Sequence, residues 1–295
     1  PLTTIYLVEA GGLTIYQIGL LATVSAIASL LSEIPTGYFA DRLSRKTSMI
    51  TGGLFAATAT LVFAFWPEFS GAIIAVTLES IGYSFLSGAA EAMIHDTLVL
   101  MKESHNYAKV AGRAQSFGLI GNTVLVSLTS LTYTIDKRLP FLIGTVAYLT
   151  LVLIASLFRE PPRSLKAKLH PKLAMDLILN LKVFVYRASF LVFLCIGIIG
   201  GLHNTSSDFT NLIFRDQGIN PSLLGFVFAA SSIVGIIGGY FIHLLRNLKL
   251  RTYAIMDVFV FCTYAISIGL FNNLWVTIVS FILCMGWWRL RAILY

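Results

Sequence analysis

Strongly polar and ionisable residues gather in two otherwise apolar stretches, and their spacing is helical. Glu79, Tyr83 and Ser87 recur at i, i+4 and i+8, with Ser80, Ser84 and Glu91 alongside. Asn204, Asp208 and Asn211 recur at i, i+4 and i+7, directly after His203. Residues so spaced share one face of a helix. Deep in a bilayer such groups are costly, and they line cavities, substrate paths or proton relays. Plainer readings stand beside this one. Glu79 would then be an interhelical hydrogen-bonding group, Asp208 a solvated residue at an interface, and His203, which titrates near neutrality when unperturbed, a packing residue. A third cluster, Asp41, Arg42, Arg45 and Lys46, follows Gly37 and sets one acid beside three bases. On its residues alone it suits a basic anchor at anionic head groups.

Enzymatic chemistry finds no such constellation. His95-Asp96 has no second pair of metal ligands beside it, and the sequence carries no H-E-x-x-H, G-x-S-x-G or phosphate-binding loop. Neither a metal, a cofactor nor a catalytic role is expected. Cys195, Cys262 and Cys284 lie in apolar runs and read as packing residues.

The elements that must position these residues follow from composition. Of 295 residues, 57% are hydrophobic and 12% charged, and mean hydropathy is +0.82. Soluble domains run at about 25% charged, so the chain is a membrane protein. Apolar runs over 15–36, 47–66, 72–101, 110–134, 140–158, 189–214, 222–245 and 253–271 predict eight complete helical spans, with partial pieces at 2–8 and 274–288. A turn over 37–46 would separate the first two spans, with Pro35 kinking or ending the helix before it. All but Lys137, Arg138 and Arg215 of the 21 Lys and Arg residues fall on one side of this layout, which makes that side cytoplasmic. The net charge of +7 then reflects topology, and no nucleic-acid partner is expected.

A shift of 206 residues exposes an internal repeat. It places Glu9, Gly12, Leu13, Thr14, Ile18 and Gly19 on Arg215, Gly218, Ile219, Asn220, Leu224 and Gly225. Further on, Ser25 falls on Ser231, Asp41 on Asn247, Arg45 on Arg251 and Tyr83 on Arg289. Repeated halves are common in transporters. On this alignment the chain lacks most of a first helix and everything beyond the middle of a tenth, about 18 residues before Pro1 and about 70 after Tyr295.

The run Gly37-Tyr38-Phe39-Ala40-Asp41-Arg42-Leu43-Ser44-Arg45-Lys46 resembles the G-x-L-A-D-R-x-G-R-K/R signature between helices 2 and 3 of the major facilitator superfamily. Glu33-Ile34-Pro35-Thr36, the run Arg159-Glu160-Pro161-Pro162-Arg163 and the basic central segment are similar to that family's pattern too. Ser44 departs from it, standing where the family has its second Gly. Stretch 79–96 has no Arg or Lys and 110–134 no Pro, so the marks of many drug/proton antiporters are missing. The resemblance implies an all-α polytopic membrane protein, a two-half bundle of six plus six helices of which about 1 to 10 are present. The halves would be 1–158 and 189–295, with a cytoplasmic linker at 159–188.

The resemblance further implies a conformational latch of Gly37, Asp41, Arg42, Arg45 and Asp96, and a central cavity holding Glu79, Tyr83, Ser87, Glu91, His203, Asn204, Asp208 and Asn211. The expected function is secondary transport of a small molecule by alternating access. A proton-coupled exporter of drugs or metabolites in the plasma (cell inner) membrane, acting as a monomer in the lipid bilayer, is the favoured form. The alternative is a non-transporting receptor or assembly protein on the same scaffold.

Overall fold

In hydrocarbon every backbone N–H and C=O needs a partner within its own segment or a closed barrel, so long apolar runs fold as helices. A computed structural model of the chain describes residues 2–160, 188–240 and 250–291, and every regular element among them is helical. In chain order these are α1 (Thr3–Glu9), α2 (Ile15–Arg42), α3 (Arg45–Phe65), α4 (Phe69–Leu100), α5 (Tyr107–Thr132), α6 (Leu139–Leu157), α7 (Ala188–Asp216), α8 (Pro221–Tyr240), α9 (Leu250–Leu270) and α10 (Leu274–Arg291). Helices α2, α3, α4 and α6 have the length and hydropathy to cross a membrane, and shorter apolar stretches lie in α8, α9 and α10. The all-α polytopic fold is therefore as expected.

Two boundaries differ from expectation. Gly37 to Arg42 is not a loop: α2 runs through Pro35 to Arg42, and the break is confined to Leu43 and Ser44. Proline removes one helical N–H, but neighbouring hydroxyls hold the turn. Thr36 Oγ1 donates to the Ser32 carbonyl at 2.8 Å, and Ser32 Oγ donates to Ser84 Oγ at 2.8 Å. The terminal apolar piece at 274–288 runs slightly further, as an 18-residue helix to Arg291, capped where Asn273 Oδ1 accepts from the backbone N–H of Trp275 at 2.9 Å. Most of the expected linker at 159–188, the side chain of Asn204 and all of Asn247 lie outside the described residues.

The chain forms two compact units, Pro1–Pro161 with Asn220–Phe226, and Pro162–Ile219 with Val227–Tyr295. In the first, α3 is the central helix, with 50% of its most apolar window buried against 17% for α2. It packs on α4 and α6 through small residues, among them Ala56, Ala57, Ala59 and Ala64. Backbones meet at one crossing. A Cβ on Gly52 would lie 2.7 Å from the Gly82 carbonyl oxygen, and one on Gly82 would lie 2.8 Å from that of Gly52. Tyr6 fixes α1 beneath this core by donating its hydroxyl to the Ala64 carbonyl at 3.0 Å, its ring 4.5 Å from that of Phe141.

In the second unit α9 packs on α7 and α10. Phe281 of α10 is fully buried, with its ring 5.4 Å from that of Phe214 and 4.9 Å from that of Phe228. The Thr210 and Tyr264 hydroxyls join α7 to α9 by a hydrogen bond.

Local geometry repeats where the 206-residue shift says it should. Gly12 and Gly218 both adopt positive φ, at +66° and +83°, and end α1 and α7 in the left-handed turn that glycine permits. The residues that follow them, Leu13 and Ile219, are both buried. Thr14 then caps α2 in a reciprocal pair with Gln17, and Asn220 caps α8 by accepting from the Ser222 N–H at 3.0 Å.

The Gly52–Gly82 contact leaves no room for a side chain. Gly52→Leu is expected to destabilise the folded chain by about 1–3 kcal/mol through overpacking. The denaturation midpoint in detergent reads the loss, and Gly118→Ala, where a Cβ meets nothing within 4 Å, should leave it unchanged or raise it.

Candidate functional site: a charged helix turn and two polar cavities

The α2–α3 turn gathers one set of the sequence-marked residues. Ser44 accepts from the Thr47 N–H at 3.0 Å and caps α3. Glu160, just past α6, adds a second cap: it accepts the Arg45 backbone N–H at 2.9 Å and the Ser44 hydroxyl. A carboxylate is the favoured partner for the orphan amides and positive dipole end of a helix start. The hydroxyl that Ser44 brings in place of the family's glycine is thus used. Helix α4 has 32 residues, about 48 Å at 1.5 Å per residue, and so overshoots a hydrocarbon core of ~30 Å. That length carries Asp96 to the turn, where its Oδ2 lies 3.1 Å from Arg45 Nη1 in a partly buried ion pair. Asp41 and Arg42 are exposed, with the Arg42 guanidinium over the Tyr38 ring at 5.1 Å. Gly37 lies within α2, facing open space.

A cavity of about 250 Å³ in the first unit is lined by Ser25, Ser29, Ala56, Glu79, Ser80, Tyr83, Leu86 and Tyr148. Ser25 and Ser80 hydroxyls bond at 2.9 Å across α2 and α4, and Glu79 and Tyr83 are exposed on its open side. Glu79 and Tyr83 are therefore brought together. Ser87 and Glu91 are exposed on α4 outside its lining.

The polar face of α7 does not behave as one surface. Asn211 is 1% exposed and Thr210 2%, whereas Asp208 is exposed. His203 is buried, and it lines a second cavity with Asp257, Val260, Phe261, Cys284, Trp287 and Trp288. Trp287 Nε1 donates to Asp257 Oδ1 at 2.9 Å.

Sequence reasoning missed several of these groups. Ser25, Ser29 and Tyr148 carry no signal, since Ser and Tyr are unremarkable in membrane helices. Glu160 was visible in its Pro-rich run, though not as a helix cap. Asp257 had the clearest signal, a lone carboxylate inside an apolar span.

The repeat links the two units at this level. Ser25 and Ser80 correspond to Ser231 and Gly286, and a Cβ on Gly286 would lie 3.5 Å from the Ser231 carbonyl oxygen. Ser29 and Tyr83 correspond to Gly235 and Arg289, and the Arg289 Cβ lies 2.9 Å from where a Gly235 Cβ would stand. One helix pair thus recurs, with a tyrosine in the first unit and an arginine in the second.

Comparison with known proteins agrees. The chain is 25% identical over 256 residues to an uncharacterised MFS-type transporter, YxaM, of Bacillus subtilis (strain 168), covering 85% of this chain and 61% of that protein. It is 29% identical over 128 residues to the vesicular acetylcholine transporter of Homo sapiens, covering 43% of this chain and 24% of that one. The chain therefore spans about three fifths of the Bacillus protein and a quarter of the human one. Its fold matches the crystal structure of the nucleoside transporter NupG with a TM-score of 0.72 at 16% identity, over 98% of this chain and 75% of that chain. It matches a D-xylose-proton symporter with a TM-score of 0.61 at 14% identity, over 98% and 74%. The family model described as Major Facilitator Superfamily matches residues 1–293, and the chain, an integral multi-pass membrane protein, belongs to that superfamily.

Proposed function

We propose that the protein is a proton-coupled exporter of small, positively charged metabolites or drug-like molecules, working by alternating access. The observation that carries this reading is the pocket around Glu79. A carboxylate with two tyrosines, Tyr83 and Tyr148, and a floor of serine hydroxyls offers charge, aromatic faces and hydrogen bonds together, the combination that recognises ammonium groups. About 250 Å³ suits a small amine better than an oligosaccharide or peptide. The named cargo of the vesicular acetylcholine transporter is itself a quaternary ammonium, which supports the same class.

In this reading 1–158 and 189–295 are the two rocking halves, joined by the linker at 159–188. Of the residues marked on α7, exposed Asp208 faces the substrate path from the second half, and buried His203 and Asn211 pack behind it. The basic stretch at 37–46 and the linker face the cytoplasm of a cell whose plasma membrane holds the protein, a sidedness that the Lys and Arg distribution supports. Gly37, Asp41, Arg42, Arg45 and Asp96 form the latch. Its Arg45–Asp96 pair is held in one conformation and broken in the other, a two-state element that biases the equilibrium. The protein acts as a monomer.

Substrate class is read by thermal shift of the detergent-solubilised chain against choline and other amines, with neutral hexoses and nucleosides as controls. Ligand at 100 times its Kd stabilises by about 2.7 kcal/mol. Amines alone should raise the melting temperature, and Glu79→Gln should remove the rise. Stabilisation by the neutral compounds only would overturn the cation reading.

The latch is tested by charge exchange. In proteoliposomes Arg45→Asp should cut choline flux about tenfold, equivalent to ~1.4 kcal/mol, and the double variant Arg45→Asp/Asp96→Arg should restore most of it. A single variant with unchanged flux would return these residues to simple head-group anchoring.

A further inference from the structure

We infer that the cavity beside Glu79 selects, among small cations, those that carry a hydroxyl group: it takes an amino alcohol with the ammonium at its mouth and the hydroxyl on the Ser25–Ser80 pair. The selection rests on the cation-binding reading proposed above, and it adds the group that the inner end of the cavity reads.

The two serine hydroxyls bond at 2.9 Å across α2 and α4. A hydroxyl has one proton to give and two lone pairs to accept with. Ser80 gives its proton to the Val76 carbonyl at 2.7 Å, one turn back along α4, so the proton between the two serines is that of Ser25. A second rung between the same helices has the same sense. Ser32 donates to Ser84 at 2.8 Å, and Ser84 donates to the Ser80 carbonyl at 3.0 Å. Each α2 serine thus donates to an α4 serine whose own proton is held by its helix.

Only the rung of Ser25 and Ser80 lines the cavity, and the direction of its bonds fixes what it can read. Both of its protons are engaged, so it offers a ligand lone pairs and no donor. An ether or ester oxygen placed there meets oxygen; a hydroxyl meets an acceptor. Ser29, one turn along α2 in the same lining, is half-buried and its hydroxyl makes no hydrogen bond among the described residues. It is free to donate to the oxygen of the bound hydroxyl. A group that both donates and accepts therefore fits these three serines better than one that only accepts.

Burial orders the two ends of the ligand. Ser80 is 5% exposed and Ala56, also in the lining, 2%, whereas Glu79 and Tyr83 are exposed at the open side. A cation costs least where water and a carboxylate both reach it, and an aromatic face adds to its binding. The ammonium therefore stays with Glu79 and the tyrosines, and the neutral end enters. Ala56 and Leu86 give apolar contact to the carbon chain between.

The test uses three cations with one trimethylammonium head: choline, its methyl ether, which accepts but cannot donate, and n-propyltrimethylammonium, which does neither. Their Kd values follow from the concentration dependence of the melting temperature of the detergent-solubilised chain. Choline should bind about fivefold more tightly than its ether, the worth of one neutral hydrogen bond, and more tightly than the propyl compound. The double variant Ser25→Ala/Ser80→Ala should lose most of that lead. Ser32→Ala removes the other rung, which lies outside the lining, and should leave the ratio of choline to ether unchanged. A ratio that falls as far in Ser32→Ala as in the double variant would reduce both rungs to helix packing and overturn the assignment. Equal binding of choline and its ether to the wild type, or an undiminished lead in the double variant, overturns the hydroxyl reading while the cation pocket stands. Should none of the three cations shift the melting temperature, the cation pocket itself falls and the hydroxyl reading with it. If the double variant does not fold, the wild-type ratio decides.

Discussion

Gly52 and Gly82 let the backbones of α3 and α4 touch, and the polar features of the first unit are placed by that contact. With α4 locked against α3, Ser48 on α3 reaches the Phe85 carbonyl at 3.0 Å, and the next turns of α4 present Ser80 and Ser84 to α2. The same helix carries Glu79 and Tyr83 to the cavity and Asp96 to Arg45. In lipid there is no hydrophobic force to press two helices together, so close approach through small residues supplies the attraction. A helix whose register slid by one residue would rotate by about 100° and lose the cavity and the ion pair together.

Most hydroxyl groups in these helices are accounted for locally. Thr23, Thr58, Thr77, Thr97, Ser116 and Thr123 each donate to the carbonyl four residues earlier. Others pair between helices, as Thr60 does with Thr145 at 2.8 Å and Ser267 with Ser280 at 2.8 Å. Such bonds satisfy polarity within the bundle and leave little surplus for a ligand. Against this background Glu79 beside two tyrosines, and His203 with Asp257 in one buried cavity, stand out. Their charge cannot be absorbed by a neighbouring carbonyl.

Much of the fold was legible in the residues. Continuous apolar runs dictated helices, and the repeat predicted that Gly12 and Gly218 would share a role, as their common positive φ bears out. The path of α2 was not legible. Gly37 and Pro35 signal an ending, but hydroxyls of Thr36 and Ser32, the second bonded to Ser84 on another helix, carry the helix on to Arg42. Likewise the i, i+4, i+7 face of α7 looked uniform, whereas packing buries Asn211 and exposes Asp208.

Sequence alone determined the membrane class, the helical fold, the internal repeat, the charged turn and the presence of costly polar groups in apolar spans, because composition, periodicity and spacing are properties of the chain itself. Tertiary structure decided which of those groups meet. Serines on α2 and Tyr148 on α6 reach Glu79 only because α3 draws α4 in and packs α6 on its other side. Asp257 reaches the cavity of His203 only because α9 packs against α7 and α10. Residues 54 or 69 positions apart become neighbours through helix contacts, and no local pattern encodes which faces those contacts will join.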